Sequence, residues 1–126
     1  MAPKQNTLVF VKMEKRGLIK EVKKPWGNEE WIVNEDYCGK FLNISRGHKT
    51  SLHYHKNKHE TFYLVKGRIT IDDGKSSITL TEGDVFDIVP NQPHRATAIE
   101  DSTVIEFSTH HEDEDSHRIE FGGKAE

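Results

Sequence analysis

The stretch GHKTSLHYHKNKHETFYLVKG, Gly47 to Gly67, decides how the chain is read. His53 and His55 are separated by one residue, and on a β-strand such neighbours point to the same face because side chains alternate with period two. Two imidazoles so placed can grip one ion. After the polar turn Lys56-Asn57-Lys58-His59, Glu60 opens the next strand and supplies an anionic oxygen. Further on, Pro90-Asn91-Gln92-Pro93-His94 presents another histidine where a turn leads into a strand from Arg95 to Ile99. Together these residues make a candidate site of three imidazoles and one carboxylate for one divalent ion. Zinc, manganese, iron and nickel all accept such donors.

Gly47, His53, His55, Glu60 and Gly67 match every fixed position of G-x5-H-x-H-x3,4-E-x6-G, the first motif of the cupins, and the chain resembles that family. The second motif, G-x5-P-x-G-x2-H-x3-N, is matched at Gly83 and His94, with Val89, Asn91 and Ala98 in place of its proline, glycine and asparagine. Asparagine is the commonest substitute for glycine where the backbone is left-handed, so that exchange is mild. The resemblance implies an all-β fold, a single-domain jelly-roll barrel of antiparallel strands around a central metal. Three histidines and a carboxylate would leave up to two positions open on an octahedral ion.

The remaining sequence agrees with that class. Runs such as Glu30 to Val33, Lys40 to Ser45, Arg68 to Asp72, Ser77 to Leu80, Val85 to Val89 and Thr103 to Phe107 are short and punctuated by turns, among them Asp73-Gly74 and Glu82-Gly83. No stretch has helical periodicity, and many short strands at regular spacing mean a sandwich or barrel. Leu8 to Val11 and Leu18 to Val22 are expected to pair as an outer hairpin across Lys15-Arg16-Gly17. Residues 1–24 then form an N-terminal extension, 25–109 the barrel and 110–126 an acidic tail. Trp26 and Trp31 are expected to pack over one end of the core.

At 126 residues the chain is one domain, and a net charge of −3 argues against a nucleic-acid partner. Cys38 is alone, so no intramolecular disulfide forms. The apolar run Leu8 to Val11 is too short for a membrane span or signal core, and a cytoplasmic location without a membrane partner is expected.

Strand alternation assigns faces. With His53 and His55 inward, Ser51 and Lys49 follow, and Leu52 and Tyr54 face the other way. Glu60, Phe62 and Leu64 point in, while Tyr63 and Val65 point out and suggest a homodimer. Ala96 and Ala98 share the face of His94, leaving room for a ligand. The apolar Ile105 and Phe107 are expected to face the core and Glu106 the solvent, with an inward Glu106 as the alternative. His48 and His59 are expected at the surface, His59 near the rim, and His110, His111 and His117 in the tail.

A narrower resemblance rests on Lys24-Pro25-Trp26-Gly27-Asn28-Glu29-Glu30, Pro93-His94-Arg95, Val104 to Phe107 and Arg118-Ile119-Glu120. These runs look like the C-terminal cupin domain of type II mannose-6-phosphate isomerases. The resemblance implies a sugar-phosphate isomerase, with a sugar phosphate as the small-molecule substrate. His59 or an inward Glu106 would then be the catalytic base, and Lys49, with Arg46 or Arg95, would meet the phosphate. A metal-dependent dioxygenase or lyase, or a sugar-binding cupin without turnover, are the alternatives that a metal site equally permits.

Overall fold

The computed structural model describes residues 7–126. Its strands are β1 (Lys20–Lys24), β2 (Gly27–Asn34), β3 (Tyr37–Ile44), β4 (His48–Lys49), β5 (Leu52–His55), β6 (Glu60–Lys66) and β7 (Arg68–Asp72). There follow β8 (Ser77–Thr81), β9 (Val85–Ile88), β10 (Arg95–Ala98), β11 (Ser102–Thr109), β12 (Ser116–Glu120) and β13 (Gly123–Lys124). A single 3-10 turn, Asp113–Asp115, is the only helical element among the described residues, and no helix there is long and apolar enough to cross a membrane.

Two antiparallel sheets face each other in a jelly-roll arrangement, one in the order β1-β2-β3-β11-β6-β9 and the other β13-β4-β10-β7-β8. The alternation read from sequence explains the core. Leu42, Ile44, Phe62, Leu64 and Val104 face inward from the first sheet, and Ile69, Ile71, Leu80, Ala96 and Ala98 from the second. At one end of this apolar layer the same inner face turns polar, and that end holds the site. Trp26 is buried within the core and Trp31 is buried beside it.

Gly67 reverses the chain between β6 and β7 with φ 94°, and a Cβ there would lie 2.5 Å from the Asp101 carbonyl oxygen. Only glycine suits that backbone and that close approach.

Several expectations change. Leu8 to Val11 joins no strand and is at least 75% exposed; β1 begins at Lys20 and pairs with β2. The eight-residue β2 offers β1 a complete ladder, whereas residues 8–11 pair with no strand among the described residues. Residues 110–126 are not a solvated tail. β12 pairs with β5, β13 with β4, and the Ala125 N–H donates to the Gly47 carbonyl at 2.7 Å. This return flanks β5, and Tyr54 stacks on its registered neighbour His117 with ring centroids 5.1 Å apart. Leu52 is buried near the β7–β8 turn, so neither residue belongs to a free outer face. Tyr63 and Val65 do point outward, as alternation required.

Leu64 is fully buried in the core, on β6 of the six-stranded sheet. Leu64→Ala is expected to cost about 2–5 kcal/mol in urea unfolding; a loss below about 1 kcal/mol would contradict this placement.

Candidate metal centre

β4 and β5 are separate strands, and the interruption at Thr50-Ser51 lets the chain leave the five-stranded sheet before the histidines. A single antiparallel bridge then joins His53 to His94: the His94 N–H donates to the His53 carbonyl at 2.9 Å, and the His53 N–H to the His94 carbonyl at 3.2 Å. Asn91 adopts φ 68°, the left-handed backbone that its place in the motif requires, and its N–H donates to the His55 carbonyl at 2.6 Å. By these contacts three side chains distant in sequence meet. One ring nitrogen each of His53, His55 and His94 lies within 4.8 Å of the others.

Each imidazole is held by its other nitrogen. His53 Nδ1–H donates to the Ser51 carbonyl at 2.9 Å, His55 Nδ1–H to Asp115 at 3.1 Å and His94 Nδ1–H to Gln92 at 2.9 Å. That pattern leaves Nε2 unprotonated and aimed at the centre, as a metal ligand needs. Burial, reinforced by the neighbouring His94, lowers the His53 pKa to about 3, which keeps the ring neutral.

Glu60 Oε2 approaches His55 Nε2 at 3.3 Å and His94 Nε2 at 3.2 Å, yet none of these three buried atoms has a hydrogen bond. Buried polar atoms are ordinarily paired. Two unprotonated nitrogens and a carboxylate oxygen would repel one another around an empty point, whereas a divalent cation satisfies all of them. Burial opposes the charge on Glu60, but the Lys58 ammonium, 3.3 Å from Oε1, favours the ionised carboxylate. The donor set therefore fits a metal ion.

Beside this cluster lies a buried network that includes Lys58, a residue the sequence reading missed. Lys58 Nζ sits 3.3 Å from Glu60 Oε1 and donates to Glu106 Oε2 at 3.0 Å and to His111 Nδ1 at 2.9 Å. Although burial alone would lower its pKa, Glu106 and Glu60 raise it. Burial and Glu60 push the Glu106 carboxyl up. His111 passes its Nε2–H to Asp113 at 2.9 Å, and burial with Lys58 lowers its pKa to about 4. Alternation counted backward from Glu60 would have placed Lys58 inward.

Glu106 faces the interior at 4% exposure, while Phe107 is 55% exposed. The favoured outward reading of Glu106 therefore reverses, because β11 lies between β3 and β6 and shares the inner face of Lys40 and Phe62, its registered neighbours. Lys49 and His59 do not line the cavity. Lys49 pairs with Thr97 and Gly123 beyond the interruption in β4–β5, where alternation no longer carries over. His59 is exposed, its backbone tied to Thr109, with Lys58 taking the inward place. Arg95 is engaged by Asp72 at 3.1 Å and Glu120 at 2.7 Å, and Arg46 is exposed. Ala96 and Ala98 lie in the apolar core and make no room for a ligand.

The cavity above the three histidines measures about 390 Å³ and is lined also by Trp26, Trp31, Lys40, Phe62, Glu106 and Arg118. Such a volume suits a small molecule.

A cupin-domain model matches residues 40–110, over half of the chain and including all four candidate donors. The chain belongs to the cupin family. Solved structures similar to this cupin include KdgF from Halomonas sp., 22% identical with TM-score 0.69 over 80% of this chain and 98% of that one. Streptomyces Pac13 with uridine is 11% identical with TM-score 0.73 over 86% and 93% of the two chains. Ectoine synthase from P. lautus is 16% identical with TM-score 0.64 over 71% and 67%. At these identities the likeness is one of fold. No curated protein matches this cupin.

Asp115 ties the centre to the C-terminal return. Its carboxylate accepts the N–H groups of Lys56 at 2.8 Å and Lys58 at 3.0 Å, while its carbonyl holds His55. Chelated protein titrated with zinc or manganese is expected to bind one ion per chain, and His53→Ala with His94→Ala to abolish this. Asp115→Ala should weaken affinity about 10- to 100-fold through the loosened turn. Undiminished binding by Asp115→Ala would exclude that supporting role.

Proposed function

We propose that this cupin is a metal-dependent enzyme that moves a proton on a small, hydroxylated, anionic molecule, with aldose–ketose isomerisation of a sugar phosphate as the first reading. His53, His55, His94 and Glu60 would hold the ion. The observation that carries the proposal is the set of converging, unpartnered His55 Nε2, His94 Nε2 and Glu60 Oε2 beside an inward-facing Glu106 in the same cavity. A divalent ion there would supply Lewis acidity toward substrate oxygens.

The chain's own residues supply the rest. Glu106 accepts from Lys58 and from Ser108 Oγ at 3.2 Å, so its carboxylate is positioned to take a proton from carbon and return it to the neighbouring carbon. Glu60, facing the histidines, is poorly placed for that task. The buried walls formed by Trp26, Trp31 and Phe62 exclude water from one side of the substrate. The runs that resemble those of mannose-6-phosphate isomerases favour the aldose–ketose form of this chemistry.

Elimination of water is the second reading. Lys58 places an ammonium directly against Glu106, which offers a proton donor beside the acceptor. Pac13, described as a nucleoside dehydratase, shares the fold.

The outer face of the six-stranded sheet supports a homodimer. Phe41, Ile105, Tyr63 and Val85 form one registered row across four strands, and Tyr63 and Val85 are 38% and 58% exposed. A second copy covering this row would remove apolar surface from water.

Metal-loaded protein is expected to interconvert mannose 6-phosphate and fructose 6-phosphate and to lose this activity with chelator. Glu106→Gln should lower kcat about 10²- to 10⁴-fold, while Lys49→Ala leaves kcat/KM unchanged. Failure with hexose and pentose phosphates, together with water loss from a uronate or nucleoside, would replace the first reading by the second.

Light scattering is expected to give twice the 14.5 kDa chain mass, and Tyr63→Glu to halve it. A parent protein at 14.5 kDa across micromolar concentrations would remove the dimer.

A further inference from the structure

Six residues stand in one registered row across the inner face of the larger sheet: Lys20, Trp31, Lys40, Glu106, Phe62 and Phe86. Two lysines thus flank one tryptophan on the neighbouring strands. Lys40 Nζ lies 3.8 Å and Lys20 Nζ 4.2 Å from the Trp31 ring centroid. Lys40 is only 1% exposed and lines the cavity. Its nearest carboxylate, Glu29 Oε1, is 3.7 Å away, beyond hydrogen-bond reach, and already accepts from Trp31 Nε1 at 3.0 Å.

An ammonium has three donors and no acceptor, and burying it without hydrogen bonds is costly. The ring face of Trp31 offsets part of that cost but accepts none of the protons conventionally. Around it, the cavity wall carries five cations against four carboxylates, in a chain whose net charge is −3. The lining thus carries one net positive charge in an acidic chain, and Lys40 meets the cavity with no hydrogen-bonded anion of its own.

We infer that Lys40, seated on Trp31 and assisted by Lys20 at the cavity mouth, binds the anionic group of the substrate, a carboxylate or a phosphate. This rests on reading the cavity as a substrate site and is independent of the metal. β3, which carries Lys40, is separated from β6, which carries Glu60, by β11 alone, and two strand spacings amount to about 10 Å. Glu106, on the intervening strand, lies between the two. The anion would therefore be held at one end of the molecule and the reacting carbons at the other.

The test is a tryptophan-fluorescence titration of the full chain at constant ionic strength, with and without chelator. The probes are inorganic phosphate, mannose 6-phosphate, galacturonate and neutral mannose. Mannose 6-phosphate or galacturonate is expected to saturate at concentrations at least about 10-fold below mannose, and Lys40→Met to weaken that binding about 10- to 100-fold with metal content unchanged. Displacement of the bound sugar by inorganic phosphate assigns the anion as phosphate, and no displacement assigns it as carboxylate. Lys20→Ala, at the exposed end of the row, should weaken it several-fold and carries the test if Lys40→Met does not fold; Lys49→Ala is the unaffected control. Anion binding that persists undiminished in Lys40→Met, or in Lys20→Ala where that variant alone can be measured, overturns the proposal. Equal affinity for mannose and mannose 6-phosphate does the same. Loss of metal binding with the anion response intact overturns the metal reading and leaves this one standing.

Discussion

Unpartnered donor atoms turned onto one buried point are the constraint on which this structure depends. Such atoms oppose folding unless something joins them, because each has given up water without gaining a hydrogen bond. The chain holds them together nonetheless through the Nδ1–H bonds of His53, His55 and His94 to backbone carbonyls. Those carbonyls belong to three segments far apart in sequence, so the strands and turns around them must be set together. The His53–His94 bridge does this on one side, and Asp115, with its carboxylate on the 56–58 turn and its carbonyl on His55, does it on the other.

The polar inner face beside that cluster follows a similar logic. Lys58, Glu106 and Glu60 are all buried, and the sheet accommodates them because opposite charges lie next to one another. Buried ion pairs contribute little net stability, since desolvation cancels much of their attraction. The apolar layer of Leu64, Ile69, Ile88 and Val104 supplies the burial that holds the sheets together. One end of the sandwich is therefore core and the other is chemistry. The outward apolar row through Ile105 and Tyr63 is the counterpart of that choice: with charged residues taking the inner face, part of the hydrophobic pattern is left outside.

The C-terminal return links these two features. β12 reaches β5 only after the Asp113–Asp115 turn, which brings Asp113 to His111 and Asp115 to the 56–58 turn. Acidic residues that look like a solvated run in the sequence are therefore spent on the electrostatics of the site.

By itself, the sequence determined the strand-rich class, the cupin motif and the inward alternation of Glu60, Phe62 and Leu64. Those are local properties, set by side-chain period and by turn residues such as Gly67. Tertiary structure decided which face of β11 meets the core, because Glu106 is directed by its neighbours Lys40 and Phe62 and not by the apolarity of Ile105 and Phe107. It also decided that alternation stops between Lys49 and His53, where one strand ends and another begins with a different partner. The placement of Lys58 mixed the two: its parity with Glu60 was legible, but the acid that meets it, Glu106, comes from a strand 48 residues away. Alternation follows from covalent geometry and can be counted along the chain. The choice of face depends on what each strand packs against, and that is known only once the sheets have assembled.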